Sequence, residues 1–223
     1  MANILSTKTL SESALERLLA AGHKVTHYDI LEAEHLPFAA PPYQVYICSS
    51  QNAVAALKYY WKNQSVDYLL NTDWYCVGEK TKESLESLGL RVLVCSENAE
   101  DLIENHLNSD ALKDKRKLWL TGVRKTPATQ AFLQAHRADY IDVYLTIPNL
   151  RMFEQSFDGI LFYSAHGVET FMKSNLVTSA TTLFCIGATT ADAALKYSQQ
   201  VVVAKKASSD RLVVDTVLHF KNA

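Results

Sequence analysis

The sequence predicts an α/β protein built on parallel sheets with helices on both faces. Three observations carry that reading. Short apolar runs and helical periodicities alternate from one end of the chain to the other. A strand–turn–helix device occurs twice, as Tyr75-Cys76-Val77-Gly78-Glu79-Lys80-Thr81 and as Phe184-Cys185-Ile186-Gly187-Ala188-Thr189-Thr190-Ala191. Laid over itself at an offset of about 110–114 residues, the chain matches at the positions that carry geometry. In the device the Gly is expected to take a φ closed to other residues. The hydroxyl residues after it either cap the helix or leave its N–H groups facing an anion.

Taken in order, Ala2 to Thr7 reads as a buried strand, and Ser11-Glu12-Ser13-Ala14 opens a helix with Leu15, Leu18 and Leu19 as its apolar face, ended by Gly22. Val25 to Leu31 alternates as a second strand. Pro37, Pro41 and Pro42 then bar helix and central strand alike, so Glu32 to Pro42 is a crossing segment. Strand Gln44 to Cys48 precedes a helix through Ala53, Val54, Leu57 and Trp61. Strand Trp74 to Val77, helix Thr81 to Leu88, strand Arg91 to Cys95 and helix Ala99 to Leu107 follow. After a polar stretch come strand Leu118 to Thr121, the loop Gly122-Val123-Arg124-Lys125-Thr126, and Pro127, well placed in a first helical turn. Strand Tyr140 to Thr146 leads to a second crossing at Pro148-Asn149. The pattern then restarts: strand Gly159 to Tyr163, turn Ser164 to Gly167, helix Val168 to Met172, strand Thr182 to Ile186, helix Thr189 to Lys196, strand Val201 to Ala204 and helix Ser208 to Phe220.

In the self-comparison Ser50-Gln51-Asn52-Ala53-Val54 falls on Ser164-Ala165-His166-Gly167-Val168, and Cys76-Val77-Gly78 falls on Cys185-Ile186-Gly187. Each half has about five strands in two unequal blocks, divided by a crossing after its second strand. That is the pattern expected of two similar sheets exchanging their opening βαβ units.

Composition narrows the function classes. The chain has 223 residues, 48% of them hydrophobic, with 22 basic and 24 acidic residues and a formal charge of −2. No basic stripe marks a nucleic-acid or membrane-surface partner. No signal peptide is read at Met1-Ala2-Asn3-Ile4-Leu5, and no run approaches the length of a membrane helix. Cys48, Cys76, Cys95 and Cys185 form no Cys-x-x-Cys pair and read as buried reduced thiols, which suits a cytoplasmic protein. The seven histidines show no metal-ligand spacing, so no metal is expected. Without Gly-x-Gly-x-x-Gly or a P-loop, a nucleotide-sugar transferase, which also pairs two such sheets, lacks its usual site.

Six short motifs, in order, are Thr7-Lys8, Ser50 to Val54, Val77 to Thr81, Val143-Tyr144, Phe162-Tyr163-Ser164 and Ile186 to Ala191. Together they resemble uroporphyrinogen-III synthases over nearly the whole chain. Lys8 stands where that family usually has Arg, Ala165-His166 where it has Pro-Ser, and Tyr197-Ser198 where a helix-ending Gly is common. The resemblance implies two α/β/α domains, residues 1–32 plus 150–223 and residues 38–145, joined by linker strands 32–38 and 144–150. It also implies a cofactor-free enzyme, expected to be monomeric, that converts hydroxymethylbilane into uroporphyrinogen III in a cleft between the domains. The reaction loses water and inverts ring D. Holding a flexible polycarboxylate in the right shape, away from water, is then the main task.

Turns at the carboxyl ends of parallel strands suit that task. Lys8, Ser50, Asn52, Lys80, Thr81, Gly122, Arg124, Ser164, Thr189 and Thr190 are the candidate substrate-binding residues, with Lys125 as a further positive charge. Tyr144 is the candidate catalytic residue, because a phenol can hydrogen-bond a departing hydroxyl and donate a proton. Gly78 and Gly187 are read as serving the turn rather than the ligand. The competing reading is a non-catalytic protein that binds a small anion or a tetrapyrrole.

Overall fold

The structure, a computed structural model, describes residues 1–61, 67–136 and 138–222. Along the chain run β1 (Asn3–Ser6), α1 (Glu12–Ala20), β2 (Lys24–His27), β3 (Leu31–His35), β4 (Val45–Cys48) and α2 (Gln51–Trp61). Next come β5 (Asp73–Val77), α3 (Glu79–Glu86), β6 (Arg91–Ser96), α4 (Ala99–Leu102), β7 (Lys117–Gly122), α5 (Pro127–His136) and β8 (Asp139–Pro148). The last are β9 (Gly159–Phe162), α6 (Ala165–Phe171), β10 (Thr182–Cys185), α7 (Ala188–Ala194), β11 (Val201–Val203) and α8 (Ser209–Asn222). No helix among the described residues is long and apolar enough to cross a membrane.

The chain divides into two compact units, one made of Met1–Glu32 with Ile147–Ala223, the other of Ala33–Thr146. The division falls inside β3 and β8. In the first unit the strand order is β2-β1-β9-β10-β11, and every adjacent pair is parallel. In the second the order is β3-β8-β7-β4-β5-β6, parallel from β8 through β6. Setting aside the edge strand β3, the two orders correspond strand for strand: β2, β1, β9, β10, β11 against β8, β7, β4, β5, β6. Pro37, Pro41 and Pro42 follow β3 and so never interrupt a central strand.

Because both faces of each sheet are covered, the central strands are apolar at consecutive positions. In β4 all four residues are buried. Tyr46 and Cys48 pack with Trp74 on one face, while Val45 and Ile47 pack with Trp119 on the other. Tyr46 stacks on Trp74 at 4.9 Å, and Phe132 from α5 meets Trp119 edge-on at 5.8 Å. Truncating either buried Trp to Ala costs about 3–5 kcal/mol. The first unit repeats the scheme, with Leu5, Ile160 and Phe162 on one face and Ile4, Leu161 and Phe184 on the other.

Several local expectations are corrected. In α1 the buried residues are Ala14 and Leu18, spaced i, i+4, whereas Leu19, one residue further round, is 50% exposed. The second strand ends at His27 rather than Leu31. There Asp29 turns its carboxylate onto Thr9, accepting from the backbone N–H at 2.8 Å and the hydroxyl at 2.5 Å. The helix expected over Ala99 to Leu107 is α-helical only to Leu102 and continues as a π turn over Ile103–Leu107. Gly187 is also corrected. Its φ of −169° is extended backbone that any residue adopts, and a Cβ there meets nothing within 4 Å. Gly78, its counterpart, does need glycine, at φ +83°.

Candidate active site

Parallel strands deliver their carboxyl ends, and the amino ends of the following helices, to one edge of each sheet. In the second unit that edge carries Ser49-Ser50 after β4, Gly78 to Thr81 after β5 and the end of β7. Tyr144 arrives on the longer β8, as the register partner of Gly122. A register shift between Thr121 and Gly122 produces this pairing: Thr121 partners Asp142, and the next residue of β7 partners Tyr144. The Tyr144 ring lies directly on Gly122, where an added Cβ would come 2.5 Å from the ring Cζ and 2.8 Å from the phenol oxygen. Gly122 therefore acts by the absence of a side chain. Val123 N–H donates to the Tyr144 carbonyl at 3.0 Å and holds the backbone of the same pair.

Ser50 faces the Tyr144 phenol. Burial raises the phenol pKa above its ordinary value, outweighing the Ser50 hydroxyl, which favours the ionised form; nearby Cys48 and Asp142 raise it further. Tyr144 is thus held as a neutral O–H donor. Ser50 also accepts the Asn52 backbone N–H at 3.1 Å, ordering the start of α2. The Cys48 thiol donates to the Ser50 carbonyl at 3.4 Å, and burial pushes it up to about 12, so it stays a thiol.

Beside this group, Asp142 accepts from the Thr121 hydroxyl at 2.6 Å and from the Lys125 ammonium at 2.5 Å. Lys125 also lies 4.6 Å over the Tyr140 ring, and its side chain is only 12% exposed. Lys125, expected as a positive charge for substrate, is instead committed to bracing the Gly122 loop. Arg124, its neighbour, is exposed.

The first unit presents a comparable edge. The Ser6 hydroxyl donates to the Lys8 carbonyl at 2.5 Å and lies 2.9 Å from the Tyr163 phenol. Burial pushes that phenol up to about 12, against the pull of Ser6. Thr7 anchors to the Leu161 carbonyl through its hydroxyl at 2.7 Å, and Leu10 N–H donates to His27 Nδ1 at 3.3 Å. The backbone on both sides of Lys8 is thereby fixed while Lys8 itself is exposed. Ser164 caps α6, accepting the Gly167 N–H at 3.0 Å.

The candidates therefore fall into two groups. In the second unit Tyr144, Gly122 and Ser50 come together, with Asn52, Lys80 and Arg124 exposed on neighbouring turns. In the first unit Lys8, Ser164 and Thr189 occupy the strand-end turns. Thr81 and Thr190 hold equivalent places in the first turns of α3 and α7, and both are only 4% exposed. The exposed Lys80 and Thr189 beside them have the greater reach. Asp142, Ser6 and Tyr163 were missed from sequence. Tyr163 sits inside the motif Phe162-Tyr163-Ser164, and Asp142 lies two residues before Tyr144 on a strand, a spacing that places both near one neighbouring strand end. Among the described residues, no cluster of three or more His, Cys, Asp or Glu side chains is placed to hold a metal ion.

Known proteins share this architecture. A crystal structure of uroporphyrinogen-III synthetase from Helicobacter pylori superposes with a TM-score of 0.75 at 18% identity, covering 99% of this chain and 100% of that one. A mutant uroporphyrinogen III synthase from Thermus thermophilus gives 0.59 at 15% identity, covering 99% and 100%. At such identities the likeness concerns the fold. No curated protein matches the sequence. The profile described as "Uroporphyrinogen-III synthase HemD" matches residues 12–214, which is most of the chain. On that match, the chain belongs to the uroporphyrinogen-III synthase family.

Proposed function

We propose that the protein is a lyase that cyclises hydroxymethylbilane to uroporphyrinogen III, with loss of water and inversion of ring D. Family membership supports the reaction class. The observation that carries the chemistry is the Tyr144 phenol, kept protonated beside Ser50 and seated on Gly122 at the end of β7. An electron-rich pyrrole expels its hydroxymethyl oxygen readily, so a weak acid aimed at that oxygen suffices. The Tyr144 O–H donates to the departing hydroxyl, which leaves as water; the pyrrole N–H gives up its proton in turn, restoring the phenol and leaving a neutral, electrophilic azafulvene. Closure then depends on how the carboxylates are held.

Lys8, Lys80 and Arg124 supply charge to those carboxylates. Ser50, Asn52, Ser164, Thr189 and the first-turn Thr81 and Thr190 add neutral donors. Each unit presents the same kind of turn. The corresponding strand orders further support an exchange of opening βαβ units between two similar halves, with residues 32–38 and 144–150 as the linking strands.

The deciding experiment supplies hydroxymethylbilane and identifies the product isomer. Isomer III formed faster than uncatalysed closure supports the synthase. Isomer I alone, at the uncatalysed rate, refutes it and favours the non-catalytic reading.

A further inference from the structure

A cavity of about 510 Å³ opens on the second unit where β7 and β8 begin, at Lys117 and Asp139. The turns described above follow the opposite ends of the same strands. One wall is the Phe132–His136 stack on α5, with ring centroids 4.6 Å apart. Facing it is the turn through Asn108 and Ser109, whose hydroxyl does not cap the turn it precedes.

The charge lining is unbalanced. Lys113, Lys115, Arg116 and Lys117 face two carboxylates, Asp110 and Asp139, in a chain whose formal charge is −2. Asp139 already accepts the Tyr43 phenol at 2.8 Å, and the Arg116 guanidinium lies 4.4 Å over that Tyr43 ring. Lys115 reaches Asp73 at 3.7 Å. Lys117 is placed differently. It is half-buried, and its ammonium donates to the Lys115 carbonyl at 3.1 Å. Burial pulls its pKa down despite the opposing charge of Asp114. A cation partly withdrawn from water and held by a neutral carbonyl is under-compensated, and an anion in the cavity supplies what is lacking.

We propose that this cavity binds a small multivalent oxyanion, bearing phosphate or carboxylate groups, with Lys117 at its centre and Lys113 at its mouth. Its size falls within the range of small-molecule pockets, roughly 300–1,000 Å³. Ser109 and Asn108 add neutral donors, and the exposed His136 ring, stacked on buried Phe132, offers a flat surface to a carbon skeleton. The site is separate from the strand-end turns assigned to the tetrapyrrole.

Calorimetric titration of the whole chain with inorganic pyrophosphate, and separately with citrate, tests this and tells phosphate from carboxylate. At least one probe binds saturably. Its affinity falls about tenfold or more in Lys117→Gln and in Lys113→Gln, and stays unchanged in Lys24→Gln, an exposed lysine of the first unit. Lys113 is exposed, so its variant reads out binding even if Lys117→Gln disturbs folding. Failure of both probes to saturate by about 10 mM overturns the proposal. So does an equal weakening in all three variants, which marks diffuse attraction rather than a site.

Discussion

The Tyr144 ring fills the space that a side chain at Gly122 would need, with the ring Cζ only 2.5 Å from where a Cβ would stand. Backbone and ring are therefore one assembly. Gly122→Ala forces the phenol to shift and lowers turnover about tenfold or more, while circular dichroism stays native. Adding Gly122→Ala to Tyr144→Phe costs little further, because both act on the same group. Steady-state rates of the two single variants and the double variant check the coupling.

Tyr144→Phe removes the proposed proton donor and keeps the ring. Turnover falls about 100-fold with little change in KM. The wild-type phenol is held above its ordinary pKa, so its ionisation leaves the neutral range untouched and limits the rate only above about pH 10. That alkaline limb disappears in Tyr144→Phe. A pH–rate profile of both proteins decides the point.

Lys125 and Lys8 separate bracing from the proposed binding. Lys125→Met strips Asp142 of its ammonium partner, leaving the Thr121 hydroxyl, and lowers stability by about 1–3 kcal/mol in denaturant titration. Lys8→Met leaves stability alone and raises KM for the polycarboxylate severalfold.

The two matched glycines differ in what they tolerate. Gly78→Ala puts a Cβ at φ +83° and ψ 136° and costs about 1–3 kcal/mol. Gly187→Ala, at φ −169° with open space around it, changes stability by less than about 0.5 kcal/mol. Thermal unfolding of the pair shows the contrast.

His23 makes the first unit acid-sensitive. Its Nδ1 accepts the Ala2 N–H at 3.3 Å, which needs the neutral ring, and burial, aided by the positive amino terminus, lowers its pKa. In the range below about pH 6.5 the unfolded chain takes up a proton that the folded ring resists, so stability falls as pH falls. His23→Gln flattens that part of the stability–pH curve.

Strand–helix alternation and the doubled turn were legible because buried parallel strands leave continuous apolar runs bounded by Gly and hydroxyl residues. Tyr144 stood out only through its motif. The seat beneath it did not, since Gly122 meets Tyr144 through a register shift between two strands separated by a whole helix, and no local pattern records that. Lys125 looked like a surface charge for the same reason, its partner Asp142 lying across the sheet. Gly187 misled because its neighbours copy those of Gly78 while its backbone does not. Thr9 and Asp29 likewise cut short a strand whose alternation ran on.

The interleaved strand orders set a timetable for synthesis. Ala33–Thr146 is one continuous stretch and can complete its sheet while translation proceeds. By contrast β1, with Ile4 and Leu5, must wait for β9 at Gly159 to leave the ribosome. The earliest-made strand thus has only β2 beside it until the last third of the chain is made, and a truncation near the carboxyl terminus, which removes Leu212 and Val213 from the core around Ile4, exposes the amino terminus with it.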